Sequence, residues 1–185
     1  MSILYKNYKL SPEEYLDGEK HSTVKHECIK GDVYAMVGFS LAHNLITNNL
    51  NVRLYQHLRG TSCRVFVADV KVRVEKADAF FYPDLLVSCE HQDTHEFYSS
   101  RPTLIVEVAS PSTAKFDEMD KRLAYQTLPS LKEYVLIAQD KPEVRVYRRG
   151  TEGWDMELFS EDDKVRLESV RLEVPIAEIY EGVVD

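Results

Sequence analysis

The spacing of hydrophobic and polar positions changes repeatedly along the chain, and each change predicts an element. Near the start, Ser11-Pro12-Glu13-Glu14 reads as a capping box. Ser11 caps, Pro12 suits the first helical position, and Glu14 reaches back to the Ser11 amide. A short helix through about Leu16 should follow. Lys25–Met36 then holds two short β-rich runs around Lys30-Gly31-Asp32, the pattern of a hairpin. Ser40 caps a long helix over Leu41–Leu58, with Leu41, Leu45, Val52, Tyr55 and Leu58 near helical spacing. Gly60 ends it.

From Ser62 the period shortens to two. Ser62–Val74 alternates Val65 and Val67 with Arg64 and Phe66, then Val70, Val72 and Val74 with Lys71 and Arg73. Phe80–Glu90 is a second, more buried strand entered through Pro83, and Thr103–Ser110 is a third. A helical segment of roughly Phe116–Thr127 stops near Pro129. Tyr134–Gln139 reads as a buried strand that pairs with Glu143–Arg149 across Asp140-Lys141-Pro142. A Trp154–Phe159 strand and the alternating Val165–Val174 tract finish the sheet. This order of elements predicts an α/β or α+β fold, a mixed central β-sheet flanked by helices.

Composition narrows the class. A length of 185 residues with 44% hydrophobic content suits one compact domain over residues 1–185, and no internal repeat or low-complexity tract interrupts it. The opening residues turn polar within a few positions, so no secretory leader is expected. No apolar run approaches the roughly 20 residues that span a bilayer, so no membrane partner is expected. Cys28, Cys63 and Cys89 are odd in number and lack C-x-x-C spacing, which predicts reduced thiols and a cytoplasmic setting.

A formal charge of −8 argues against a polyanionic partner only until its distribution is considered. From Thr151 onward there are 11 Asp/Glu and 3 Lys/Arg, so the first 150 residues hold 20 of each and are neutral. Within them, Arg53, Arg59, Arg64, Lys71, Arg73 and Lys76 face only Asp69 and Glu75 across one stretch. Solvated element surfaces account for most of that pattern, and a locally basic face is compatible with it.

Two acids interrupt the most apolar part of the chain, Asp84 in Tyr82–Val87 and Glu107 in Leu104–Ala109. Burying an unpaired carboxylate costs several kcal/mol, so each requires a partner. If their strands are neighbours, both can converge on one Mg²⁺, which takes oxygen ligands and is commonly held by one or two carboxylates plus water. Asp117, Lys121 and Tyr125 recur at four-residue spacing and share a helix face. A structural alternative stands beside this one. Asp84 would bond local amides, Glu107 would pair with a buried cation, and Asp117 and Lys121 would form a surface pair.

Pro83-Asp84, then Glu107 on a strand, Ser110-Pro111-Ser112-Thr113, and Asp117, Lys121 and Tyr125 together resemble the Uma-type restriction endonuclease domain family of the PD-(D/E)xK nuclease superfamily. The likeness extends back through Ser11–Leu16, His26–Met36 and Gly38–His43, and forward through Pro129–Arg149. It implies a restriction-endonuclease-like fold and a metal-dependent endonuclease that hydrolyses phosphodiester bonds of nucleic acid, DNA being the expected substrate. Asp84 and Glu107 would hold Mg²⁺, with Mn²⁺ as a substitute, aided by the backbone carbonyl of Val108. Lys121 would orient or activate the attacking water, and Glu27 would complete the site. His43, Asp117 and Tyr125 are secondary candidates. By analogy with paired nucleases of this fold, a homodimer is compatible with the resemblance. The sequence departs from the superfamily pattern at Ala109, where E-x-K places its lysine, and Lys121 is the expected substitute. That departure keeps a second reading open, a non-catalytic nucleic-acid-binding or protein-interaction domain that retains the fold.

Other constellations are weaker. Asp69-Val70-Lys71 also reads as D-x-K but lacks a preceding Pro-Asp at suitable distance. Cys89, His91, Asp93 and His95 are ligand types at alternate positions, in a polar loop with no second cluster at zinc spacing. There is no Gly-rich phosphate loop, and no serine or cysteine has a recognisable base.

Overall fold

Leu104–Ala109 forms strand β8 at the centre of the molecule, and all six of its residues are buried. The computed structural model describes residues 9–36, 38–110 and 117–183. β8 lies within a six-stranded sheet in the order β11 (Trp154–Ser160), β10 (Glu143–Arg149), β9 (Glu133–Ala138), β8, β6 (Leu85–Ser88), β3 (Arg64–Val67). β8 and β9 run parallel, and the other neighbours are antiparallel. A second sheet has the order β2 (Asp32–Ala35), β1 (His26–Ile29), β5 (Ala79–Phe81), β4 (Lys71–Val74), β7 (Tyr98–Ser99).

The helices are α1 (Pro12–His21), α2 (Leu41–Leu58), α3 (Arg122–Tyr125) and the short α4 (Ile176–Ile179). One face of the main sheet, including Leu104, Val106 and Val108, packs on Ile46, Leu50 and Leu54 of α2. The other face, including Ile105 and Ala109, packs on Val72, Val74 and Phe81 of the second sheet and on Tyr125. Burial on both sides is why this strand reads as a continuous apolar run, without the alternation of a half-exposed strand.

Several expected elements hold closely. The Ser11 capping box is formed, although α1 runs on to His21 rather than ending near Leu16. Lys30 and Gly31 both take positive φ, 52° and 80°, as a two-residue hairpin turn of the primed type requires. A side chain at Gly31 would also collide with Leu10, whose carbonyl lies 2.8 Å from the site of a Cβ.

Other expectations need correction. Ser62–Val74 is not one strand. The chain leaves the main sheet after Val67, passes Ala68 at φ 51°, and enters the second sheet at Lys71. It crosses back between Phe81 and Leu85, where Pro83 removes a ladder donor. The two crossings lie side by side, joined by the Ala68 amide donating to the Asp84 carbonyl at 3.0 Å. On α2 the buried stripe is Ile46, Leu50, Leu54 and Leu58, whereas Leu41, Leu45, Val52 and Tyr55 are exposed. The helix carries two apolar stripes, and only the one at unbroken four-residue spacing meets the sheet. The Val165–Val174 tract forms its own hairpin, β12 (Lys164–Leu167) with β13 (Leu172–Pro175), instead of extending the main sheet. Glu133, only 1% exposed, ties that hairpin down by accepting the Glu168 and Ser169 amides and Arg148 Nε at 3.0, 2.8 and 2.8 Å.

The cysteines also differ from expectation. Cys63 and Cys89 form a disulfide. They lie one step beyond the Arg64–Ser88 pair of β3 and β6, directly opposite each other across the ladder. Only the fold makes them neighbours, since 26 residues separate them in sequence. The thiol argument for a cytoplasmic setting therefore lapses. Cys28 is free and buried. Among the described residues no helix is long and apolar enough to cross a membrane.

Candidate active site

Asp84 stands at the point where the chain crosses back into the main sheet. Leu85 pairs with Val106, so one further step of that antiparallel register sets Asp84 opposite Glu107. Directly opposed residues point to the same face, with Cβ atoms about 5 Å apart. For Glu107 that is the face of Ile105 and Ala109, turned toward the second sheet and Tyr125.

The neighbours of Glu107 explain how it tolerates 3% exposure. Lys121 Nζ lies 3.4 Å from Glu107 Oε1, and the Tyr125 hydroxyl donates to the same oxygen at 3.2 Å. Lys121, itself 6% exposed, lies closer still to Glu27 Oε1, at 2.8 Å. Glu27 comes from β1 and also accepts the Tyr82 amide at 3.2 Å. Both side chains from the helical segment are aimed by an irregular backbone. Asp117–Lys121 is a π-helical turn that passes directly into α3. Burial, reinforced by the charges of Glu107 and Glu27, raises the Tyr125 hydroxyl well above its ordinary range, so it remains a donor.

Asp84 has a different set of partners. The Val108 amide donates to Oδ2 at 2.7 Å, and His43 Nε2 lies 3.1 Å from the same oxygen. His43 is buried in the first turn of α2, where Ser40 Oγ accepts its amide at 3.1 Å. The Phe39 ring stacks on its imidazole, with centroids 4.1 Å apart and planes 9° from parallel. Val108 thus meets Asp84 through its amide. Among the described residues both contacts to Asp84 fall on Oδ2, and Asp84 lines an open groove.

The structure brings Asp84, Glu107, Glu27, Lys121, Tyr125 and His43 to one junction of the two sheets. Asp117 is placed in the π-helical turn, but its side chain lies outside the described residues, as do Pro111, Ser112 and Thr113 of the Ser-Pro-Ser-Thr motif. Ala109 is buried in the β8 face beside Ile105. The weaker constellations dissolve. Asp69 is exposed and paired with Lys25, away from any strand. Cys89 is oxidised, and Asp93 accepts Ser99 Oγ and the Ser100 amide at 2.5 and 2.9 Å. His95 stacks on Tyr98. Among the described residues no three acidic, histidine or cysteine side chains form a metal cage. Asp84 and Glu107, at opposed positions by extension of the register, are oxygen donors of the type that Mg²⁺ takes, so the donor set fits a hard cation.

Comparison with known proteins identifies the family. The model of the Uma2 family, described as "Putative restriction endonuclease", matches residues 12–177. The chain belongs to the Uma2 family. It is 33% identical over 177 residues to the protein slr1290 of Synechocystis sp., covering 95% of this chain and 93% of that one. A second Synechocystis protein, sll1609, is 33% identical over 168 residues, covering 88% and 95%. Among solved structures, the Anabaena variabilis protein described as "a putative nuclease belonging to DUF820" superposes with a TM-score of 0.76 at 17% identity, covering 95% of this chain and 99% of that one. That likeness establishes the fold, restriction-endonuclease-like, and the family's description is that of a nuclease.

In this Uma2 chain a further acid supports the site, and pattern reading missed it. Glu19, on α1, accepts the His26 amide at 3.3 Å, lies 2.8 Å from His26 Nδ1 and accepts the Tyr82 hydroxyl at 2.9 Å. His26 immediately precedes Glu27, and Tyr82 comes two residues before Asp84. One carboxylate therefore locks together the two segments that carry site acids. Burial, then the adjacent Glu19, holds the Tyr82 hydroxyl above its ordinary range. The one available signal was an acid on the helix that the capping box begins, four residues after the buried Tyr15.

Proposed function

We propose that this protein is a Mg²⁺-dependent endonuclease, with Mn²⁺ as a substitute, that hydrolyses phosphodiester bonds of DNA at the Asp84–Glu107 junction. Asp84 and Glu107 would hold the cation, joined by the Val108 carbonyl. The bound metal supplies Lewis-acid stabilisation at the phosphate and lowers the pKa of a coordinated water. Lys121, held between two carboxylates, can donate to the attacking water and offset charge gathering on the phosphate oxygens. The oxygen of that water bonds to phosphorus as the bond to the leaving sugar oxygen breaks. Glu27 fixes Lys121, Tyr125 fixes Glu107, and His43 with the Val108 amide fixes Asp84.

The observation that carries this reading is the pair of opposed, buried carboxylates with Lys121 reaching back to one of them. Two acids in the driest part of the sheet are expensive as structure and useful as ligands. The second reading, a binding domain that keeps the fold, draws on Ala109 and on the engagement of Lys121 with Glu27 as well as Glu107. A cleavage assay separates them. Purified protein with Mg²⁺ or Mn²⁺ is expected to cut DNA, with loss of cutting in EDTA and in Asp84→Ala. Equal cutting by wild type and variant would reveal a contaminant, and binding without cutting on any nucleic acid would establish the binding domain.

A further inference from the structure

An open groove of about 370 Å³ is walled by Met36, Phe39, Tyr82, Pro83 and Asp84. Phe39 is 56% exposed although it is a large aromatic side chain. One face of its ring is covered by His43, so the imidazole holds the ring still while the rest of it borders the groove. Lys25 is the sole cation on the groove wall among the described residues, and it is paired with Asp69.

Backbones of duplex and single strand alike are gripped by lysine and arginine, of which this wall has only Lys25 among the described residues. Unpaired bases are gripped by their faces, on aromatic rings, with little regard for sequence. We propose that the groove takes one unpaired nucleobase, stacked on Phe39, from the nucleotide adjoining the phosphate at Asp84. The substrate class is then single-stranded or frayed nucleic acid rather than intact duplex. This rests on the nuclease reading for the position of the phosphate. Phe39 is a specificity residue in this scheme: it holds the base, while His43 carries its rigidity through to Asp84.

The test is binding in EDTA, where no cleavage occurs, using a fluorescein-labelled single-stranded oligonucleotide and the blunt duplex of the same sequence. Wild type is expected to bind the single strand more tightly. Loss of one stacked base in Phe39→Ala should weaken single-strand binding by about 5- to 150-fold, and Phe39→Trp should restore it. The salt dependence should be the same in wild type and Phe39→Ala, because no phosphate contact is removed. Equal single-strand affinity in wild type and Phe39→Ala, or tighter binding of duplex by wild type, overturns the proposal. If wild type cuts duplex with Mg²⁺ and Phe39→Ala binds as wild type does, the groove assignment fails and the nuclease reading survives. If Phe39 controls single-strand binding but no divalent metal yields cleavage, the nuclease reading fails and the groove stands.

Discussion

Replacing Lys121 by methionine keeps most of the side-chain volume and removes the charge that lies between Glu27 and Glu107. At an effective dielectric of about 20, an ammonium 2.8 Å from one carboxylate and 3.4 Å from another gains roughly 6 and 5 kcal/mol of gross Coulomb energy. Desolvating three ions cancels most of that, so the wild-type cluster has little net worth for stability. Breaking it is another matter, because two buried carboxylates would each lose the Lys121 ammonium. Lys121→Met should therefore cost about 3–5 kcal/mol, read as a shift of the urea midpoint at constant slope. Cleavage should fall by about 10²–10³ if Lys121 also serves the phosphate. The double variant Glu27→Gln with Lys121→Met separates the two effects. It removes one surplus charge and should regain part of the stability while activity stays low. A Lys121→Met protein with wild-type midpoint and wild-type cleavage would refute the reasoning.

Further predictions concern stability. Glu133→Ala should cost about 2–5 kcal/mol in chemical unfolding, since it strands the amides of Glu168 and Ser169 and removes one of the carboxylates that Arg148 shares with Glu157; a loss under 1 kcal/mol would mean that the β12–β13 hairpin is held by packing alone. Leu54→Ala, in the buried stripe of α2, should cost about 2–5 kcal/mol, while Leu41→Ala, at 86% exposure, should change stability by less than about 0.5 kcal/mol. Burial holds the Lys71 ammonium below its ordinary range, opposed by the charge of Glu19. The unfolded chain thus binds more protons between the depressed value and 10.5, and stability rises with pH across that window. Lys71→Met should be more stable than wild type at pH 7, and thermal melts should show the gain shrinking as pH approaches 10.5; a gain that grows with pH would contradict the burial argument.

Much of this was legible in the residues. Glu143–Arg149 was read to its ends because it alternates and one face stays polar. Glu107 was conspicuous because nothing else charged interrupts Leu104–Ala109. Lys121 and Tyr125 were found by four-residue spacing, although the π-helical turn that aims Lys121 leaves no mark in that spacing. What stayed hidden depends on contacts remote in sequence. The apolar positions slip from Val65 and Val67 to Val70, Val72 and Val74, which marks the change of sheet at Ala68, whereas the nearly continuous apolar run Phe80–Val87 hides the change at Pro83. Cys63 and Cys89 meet only because β3 pairs with β6. The choice between the two apolar stripes of α2 is made by the sheet it covers. Glu19 looks like any solvated helix acid until His26 and Tyr82 close on it.

The account turns on whether Asp84 and Glu107 together take a divalent cation. Mn²⁺ titration followed by electron paramagnetic resonance measures that directly, with the protein alone and with a short non-cleavable phosphorothioate oligonucleotide. It should show Mn²⁺ bound by wild type, tightened by the oligonucleotide, and lost in the Asp84→Asn, Glu107→Gln double variant. Wild type and double variant with the same Mn²⁺ signal would show that the two buried acids are structure and not ligands.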